Sequence, residues 1–388
     1  MPVAVVIPLF NHERYIVEAL RGVIAQTRRV DRIIVIDDGS PDGSLAAARS
    51  VADPRILVLS QQNAGAHEAL NRGIGLAADC DFIGILNSDD LYEPERIESC
   101  MRCLDLHPST SVVATRLRMI DENGAFLGPA DPRARWLESV WHARPASLPA
   151  WLGIANFTKT TSNLFGRAEF FRAHPFRPYR YVHDYRFALD AALEDRLVVL
   201  DEELMRYRVH GANTIKSGPA EKLPREVLRM NVDLLREGAP AIAESAPYRG
   251  RLADYYRALS LNYADFRLEP FLHLVAGQFA ALTEAELENL CEGLEPGRFP
   301  ELLAGKGHAL RERLAEAACE RVLQTLGSSR WLALGRVFGA APRLYTDAPT
   351  AEGRLAASAF CSCQRMSAAR HAASPASGEL WNISTKRR

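Results

Sequence analysis

No apolar run in this chain approaches the ~18 residues that a helix needs to cross a bilayer, which speaks against a helical membrane protein. The N-terminal Val3-Ala4-Val5-Val6-Ile7 lacks the basic flank and the length of a secretory signal. Cysteine is scarce and odd in number, seven among 388 residues, which argues against a disulfide framework. Cys100-x-x-Cys103 falls in a helical pattern without a second Cys or His pair nearby, so it reads as ordinary helix residues and not as a zinc or redox site. The expected location is therefore the reducing cytoplasm. An excess of one charge is also missing: 47 Lys and Arg against 48 Asp and Glu give a formal net charge of -1. That leaves no electrostatic case for a nucleic-acid partner. No internal repeat is visible. What remains is a chain with 47% hydrophobic residues, ample for one sizeable core and a second unit.

Two acidic clusters carry most of the information. Asp37-Asp38-Gly39-Ser40 follows the apolar run Ile33-Ile34-Val35-Ile36. Asn87-Ser88-Asp89-Asp90 follows Phe82-Ile83-Gly84-Ile85-Leu86. Carboxylates at the C-terminal ends of parallel strands face the ligand crevice of an open α/β sheet. Such a pair suits a hard divalent cation, and that cation suits a diphosphate. The chemistry suggested is the handling of a nucleoside diphosphate.

Strands and helices alternate around these clusters. Residues 3–7 read as a strand buried on both faces and ending at Pro8. Ile16, Leu20, Val23 and Ile24 recur at helical spacing. Strand 33–36, a helix after Ser40-Pro41-Asp42-Gly43-Ser44, strand 56–59, a helix carrying Leu70, Ile74 and Ala77, and strand 82–86 follow. This pitch implies βαβ units and a parallel sheet. Residues 112–120, the turn Asp121-Glu122-Asn123-Gly124 and residues 125–127 read as a hairpin. The stretch 128–160, with Trp136, Trp141, Trp151 and several prolines, reads as irregular. From about 220 the chain turns helical, with packing stripes on Leu252, Tyr255, Tyr256, Leu259 and Tyr263 and on Leu310, Leu314, Ala318 and Val322. The expected organisation is an α/β catalytic domain over 1–218, a helical region over 219–350, and a flexible basic tail over 351–388 ending Lys386-Arg387-Arg388.

Val5-Val6-Ile7-Pro8-Leu9-Phe10-Asn11, Asp37-Asp38-Gly39-Ser40, Asn63-Ala64-Gly65 with Asn71-Arg72-Gly73, and Asn87-Ser88-Asp89-Asp90 occur in one order. Thr161-Ser162-Asn163, His183-Asp184 and Tyr207-Arg208-Val209-His210 continue it. The ordered set resembles family 2 glycosyltransferases of GT-A fold, over roughly residues 1–215. The resemblance implies a mostly parallel, Rossmann-like sheet with a C-terminal helical region. It also implies an inverting enzyme that moves a sugar from a nucleoside-diphosphate sugar, by expectation a UDP-sugar, to a hydroxyl of a glycan, lipid-linked or protein acceptor.

The same resemblance implies residue roles. Pro8, Phe10, Asn11 and Asp38 would hold base and ribose, with Asn63, Gly65, Asn71 and Arg72 completing the nucleotide-sugar site. Asp89 would face the ribose. Asp90, with His210 as an additional ligand, would bind Mg²⁺ or Mn²⁺, and Arg208 would hold phosphate. Asn87 stands where many relatives carry a third Asp. Asp184 would be the base that an inverting transfer needs, although the pair here reads His183-Asp184 where the family has two acids.

Read singly, the first acidic cluster would pass for a turn with a helix cap, and Asp184 for a helix N-terminal charge. Order along the chain favours the functional reading. A nucleotidyltransferase would need a Gly-rich basic signature where this chain has Phe10-Asn11-His12-Glu13. A nucleotide-sugar-binding protein without catalysis would have lost an acidic cluster or Asp184. The C-terminal Ser329-Arg330-Trp331-Leu332-Ala333-Leu334-Gly335-Arg336-Val337-Phe338 segment and the basic tail suggest peripheral contact with an anionic membrane at its inner face.

Overall fold

The computed structural model describes residues 1–213, 222–237, 241 and 244–262. The chain divides into two compact units, the first built on Met1–Glu226 and the second beginning at Val227.

The first unit opens with β1 (Val3–Leu9), β2 (Arg32–Asp37), β3 (Ile56–Ser60) and β4 (Phe82–Ile85). β1 and β4 are buried at every position, and β2 at every position after Arg32, as a sheet covered on both faces requires. β3 is half exposed because it is the sheet edge. Three helices connect these strands: α1 (Ile16–Ile24), α2 (Ser44–Arg49) and α3 (Ala66–Leu76). α1 buries Ile16, Ala19, Leu20 and Val23; α3 buries Ala69, Leu70, Gly73 and Ile74. These are one-sided stripes at a spacing of three and four residues, each laid on the core.

β1 does not stop at Pro8. Its odd residues bond β2, where the Leu9 carbonyl accepts the Asp38 N–H at 2.8 Å. Its even residues face β4, where the Val6 carbonyl accepts the Leu86 N–H at 3.0 Å. β4 pairs with β1 no further than Val6, so Pro8 turns its missing N–H to a place where no ladder partner remains.

The sheet continues through β5 (Leu91–Tyr92), β6 (Val112–Ile120), β7 (Phe165–Arg167) and β8 (Leu197–Arg208), in the order β3-β2-β1-β4-β7-β6-β8-β5. β1–β2, β2–β3, β1–β4 and β6–β8 run parallel, whereas β4–β7, β6–β7 and β5–β8 run antiparallel. The parallel half delivers the ends of β1, β2 and β4, with everything that follows them, to one edge. The hairpin at 121–127 closes through the Asp121 N–H to the Ala125 carbonyl, 2.8 Å, but its second arm is a single bridge, Ile120 to Phe126.

The stretch 128–160 differs from the expectation of irregular chain. It holds α5 (Pro132–His142) and α6 (Leu148–Ile154). The physical reason was local: Asp131 caps α5, accepting the Arg133 N–H at 2.8 Å, and Pro132 occupies the first turn. Trp151 is fully buried, stacks on Phe157 at 4.0 Å and donates its indole N–H to the Val140 carbonyl at 2.8 Å. α4 (Arg96–Leu106) buries Cys100 and Cys103 as free thiols, pushed up by burial to about 11 and about 12. α7 (Ala168–Ala173) and α8 (His183–Leu193) complete the layer.

α9 (Lys222–Glu237) spans the boundary between the units, and the helix Ala246–Asn262 buries Leu252, Tyr255 and Leu259. The stripe at 310–322, the segment 329–338 and the tail 351–388 lie outside the described residues. Among the described residues, no helix is long and apolar enough to cross a membrane.

Gly166 gives a direct check of this packing. A Cβ there would lie 2.1 Å from the Ser111 carbonyl oxygen, a backbone atom that cannot step aside, whereas a Cβ on Gly75 of α3 would meet nothing within 4 Å. Gly166→Ala is expected to lower unfolding stability by about 1–3 kcal/mol. Gly75→Ala is expected to hold or raise stability, by up to about 1 kcal/mol of helix propensity. Urea denaturation of both variants checks the pair, and equal midpoints would contradict the register of β7 on β6.

Candidate active site

The loops after β1 and β2 form one wall of the crevice. Asn11 takes left-handed backbone, φ 55°, and donates its N–H to Ser40 Oγ at 3.1 Å. Phe10 beside it is 41% exposed. Asp37 accepts from Ser60 Oγ at 2.9 Å. Asp38 is buried, and its carboxylate accepts from Gln61 Nε2 (2.8 Å) and from the N–H groups of Ala64 (2.9 Å) and Gly65 (2.8 Å). A carboxylate offers about four acceptor positions, so Asp38 anchors the 61–65 loop and keeps roughly one position for an incoming N–H. Gly39 at φ 72° permits the close approach, because a Cβ there would sit 3.0 Å from the Asn63 N. Asn63 and Gly65 stand on this wall; Pro8 is buried in β1 behind it.

Two residues expected in the nucleotide site are engaged elsewhere. Both ends of the Asn71 amide are taken by Phe176, its Oδ1 accepting the N–H and its Nδ2 donating to the carbonyl, each at 2.8 Å. Arg72 donates to the Ser60 carbonyl (3.2 Å) and Gln61 Oε1 (3.1 Å), supporting the loop from its exposed rim.

The turn after β4 meets a 3₁₀ turn, Thr161–Asn163, that precedes β7. Asn87 donates Nδ2 to Thr160 Oγ1 (2.9 Å) and accepts from Thr161 Oγ1 (2.7 Å), while its N–H goes to Ser162 Oγ (2.8 Å). Asp90 is 0% exposed; its Oδ2 accepts from Ser162 Oγ (2.6 Å) and Thr160 Oγ1 (3.2 Å), and its Oδ1 from the Arg208 N–H (2.9 Å). Burial, and then the charge of Asp89, raise the Asp90 carboxyl well above the usual carboxylate range. The expectation placed the metal on Asp90, yet its carboxylate points into the protein and both oxygens are occupied.

Asp89 points the other way. Its Oδ2 lies 2.9 Å from His210 Nε2 and 3.8 Å from His12 Nε2. One ligand atom from each of His12, Asp89 and His210 falls within 4.8 Å of the others. Ligand bonds of ~2.0–2.2 Å to one ion span such a set, and imidazole with carboxylate is a donor set for borderline divalent metals. The residues therefore fit a cation. Burial lowers the His12 imidazole, favouring its neutral, ligating form. Burial alone would raise the Asp89 carboxyl, but His12 and His210 reverse the balance and hold it below the usual range.

Supporting bonds fix the three groups. His12 Nδ1 meets Ser88 Oγ at 2.8 Å, and Asn213 Oδ1 accepts the backbone N–H of His210 at 2.7 Å. Arg208, expected to hold phosphate, is 1% exposed and faces inward; it donates to the Asp89 carbonyl (2.8 Å) and to Glu18 (2.7 Å), with its guanidinium over Tyr15. Its task is to lock the acidic turn to α1. Sequence reasoning missed His12, although it directly follows the Pro8-to-Asn11 motif. It also missed Asn213, whose only signal was its place after His210.

Asp184 sits in the first turn of α8, 6% exposed, with Oδ2 accepting from Asn156 Nδ2 at 3.2 Å. The Tyr207 phenol on β8 is raised by burial and then by the charges of Asp90, Asp89 and Asp184.

Comparisons with known proteins identify the family and the fold. The pattern of the family described as "Glycosyl transferase family 2" matches residues 4–181. An uncharacterized glycosyltransferase of Nostoc sp., alr2836, is 28% identical over 234 residues, which are 58% of this chain and 70% of that protein. The chondroitin synthase of Escherichia coli is 26% identical over 225 residues, 53% of this chain but only 33% of the synthase. Among solved structures, S. aureus TarS 1–349 is similar with a TM-score of 0.53 at 18% identity, covering 84% of this chain and 89% of that one; at this identity the likeness speaks to the fold. With its strand-end acidic turns, its mixed sheet of GT-A type and the family match over most of its first unit, residues 4–181 of this chain form a glycosyl transferase family 2 domain.

Proposed function

We propose that this chain is an inverting, metal-assisted transferase that moves a sugar from a UDP-sugar to a hydroxyl of a glycan, lipid-linked or protein acceptor. The observation that carries the reading is the approach of His12, Asp89 and His210 at the β4 end. TarS has solved structures in complex with UDP and with UDP-GlcNAc, which supports uridine as the base.

In this reading the walls at Phe10, Asn11 and Asp38 receive the nucleoside. Asp38 offers its remaining acceptor position to a base N–H. Asp89, His210 and His12 would hold the cation, Mn²⁺ or Mg²⁺. Bound there, it would neutralise charge on the departing diphosphate. Asp184 takes the proton of the acceptor hydroxyl. The freed oxygen bonds the anomeric carbon from the face opposite the diphosphate, the bond to the phosphate oxygen breaks, and the configuration inverts. Asp90 stays out of this chemistry and holds the turn in shape.

Asp184→Asn removes the proton acceptor and nearly keeps the shape. The expected loss in transfer rate is about 10²–10⁴-fold, with UDP affinity unchanged by calorimetry. A product that retains the donor's anomeric configuration would refute the single displacement.

The two neighbouring acids should separate cleanly. Asp89→Asn is expected to abolish metal-dependent UDP binding, whereas Asp90→Asn, which keeps the shape but only one of the two acceptor oxygens that serve Ser162 and Arg208, should keep it at a cost in thermal stability. Mn²⁺ should support turnover at lower concentration than Mg²⁺, because two of the three ligand atoms are imidazole nitrogens. Metal titrations of nucleotide release after chelator treatment check both statements; full activity in excess chelator would remove the cation from the scheme.

A further inference from the structure

We propose that Asn156 is the positioning residue of Asp184, holding one carboxylate oxygen so that the other faces the acceptor hydroxyl. The proposal rests on the reading of Asp184 as the base.

The hydrogen-bond network settles how Asn156 is oriented. Its Oδ1 accepts from Thr158 Oγ1 at 2.6 Å and from the Lys159 N–H at 3.3 Å. Two donors converge on that atom, so it is the amide oxygen, and the NH₂ must be the end that meets Asp184 Oδ2 at 3.2 Å. Asn156 is thus held from behind and donates forward to a carboxylate, the charge-assisted kind of hydrogen bond. Among the described residues, Asp184 Oδ1 accepts no side-chain hydrogen bond, which leaves it for an incoming hydroxyl.

The loop around Asn156 is built for this. Lys159 takes left-handed backbone at φ 68°, a conformation that a long side chain rarely adopts and that clusters at functional sites. Just before it, the 156–158 turn brings the Lys159 N–H back to Asn156, where it also meets the main-chain carbonyl at 3.2 Å. The Lys159 ammonium lies 4.6 Å from the Trp136 ring and 5.9 Å from the Tyr207 ring. Thr158 is fully buried, and its carbonyl accepts Asn163 Nδ2 at 3.3 Å. One stretch of chain therefore runs from Asp184, through 156–160, to the hydroxyls that hold Asn87 and Asp90. The base and the metal-bearing turn are referenced to a single loop.

A double-mutant cycle tests the inference on the full chain, using UDP release from UDP-GlcNAc with Mn²⁺ as the assay and calorimetric UDP binding as the control. Asn156→Ala is expected to lower the release rate about 10–100-fold, the scale of a displaced catalytic group, with UDP affinity unchanged. In an Asp184→Asn background the same substitution should change the rate no further, because a positioning residue acts only through the group it positions. Asn156→Asp, of the same shape but like charge, should be worse than Ala. Equal fold losses in the two backgrounds, or a loss that follows UDP affinity, would overturn the proposal. If Asp184→Asn leaves the rate intact, it is the base reading that fails. Crystal structures of the wild type and Asn156→Ala need no turnover: the Asp184 carboxylate should leave its rotamer in the variant, and an unchanged rotamer would overturn the positioning role by itself.

Discussion

Thr160, Thr161, Ser162 and Asn163 are four polar residues buried without a charge among them, and the crevice is assembled on them. Asn163 is clamped to β6, its Oδ1 accepting the Thr115 N–H at 3.0 Å and its Nδ2 donating to the Thr115 carbonyl at 2.8 Å. Arg96, fully buried with its guanidinium over Tyr92, braces the same group through Thr115 Oγ1 at 2.6 Å. From that fixed base the hydroxyls of 160–162 reach forward to Asn87 and Asp90. The side-chain amides and hydroxyls of this network are hydrogen-bonded, though Arg96 Nε has no partner among the described residues.

The position of β7 explains how this turn reaches β4. A purely parallel sheet would have placed another βα loop beside Asn87-Ser88-Asp89-Asp90. Instead β7 inserts antiparallel between β4 and β6, with Gly84 paired to Phe165 and Val113 to the same Phe165. The chain therefore enters β7 at the end where β4 leaves the sheet, and the residues just before it lie across the acidic turn. Gly166 permits the insertion, since a side chain there would strike the Ser111 carbonyl.

Adjacent carboxylates have been given opposite surroundings. Asp90 has lost water and gained neutral donors, and the charge of Asp89 weighs against its own; its carboxyl is raised. Asp89 is equally enclosed but faces two imidazoles, and is held low. The pair thus divides into one group that shapes the turn and one that presents charge to the crevice. Arg208 reinforces the division by taking the Asp89 carbonyl while its own N–H goes to Asp90.

Much of this was written locally in the chain. The apolar runs at 3–7, 33–36 and 82–86 could only be strands covered on both faces, and the acidic residues after them had to lie at one sheet edge if the strands were parallel. Asp131 and Pro132 marked a helix start as plainly as any, so the irregular reading of 128–160 was a signal overlooked. Other features were beyond local reading. Nothing near Asp89 announces His12, and although His210 was expected at a metal, nothing in the sequence pairs it with Asp89, 121 positions away. Nothing around Asn71 or Arg208 shows that their polar atoms turn to Phe176 and to the acidic turn. Propensity, period and caps act over a few residues and so fix the elements. Which carboxylate is enclosed, which is offered, and which amide stands behind Asp184 depend on strand order and on the burial it creates, and those exist only once the sheet has closed.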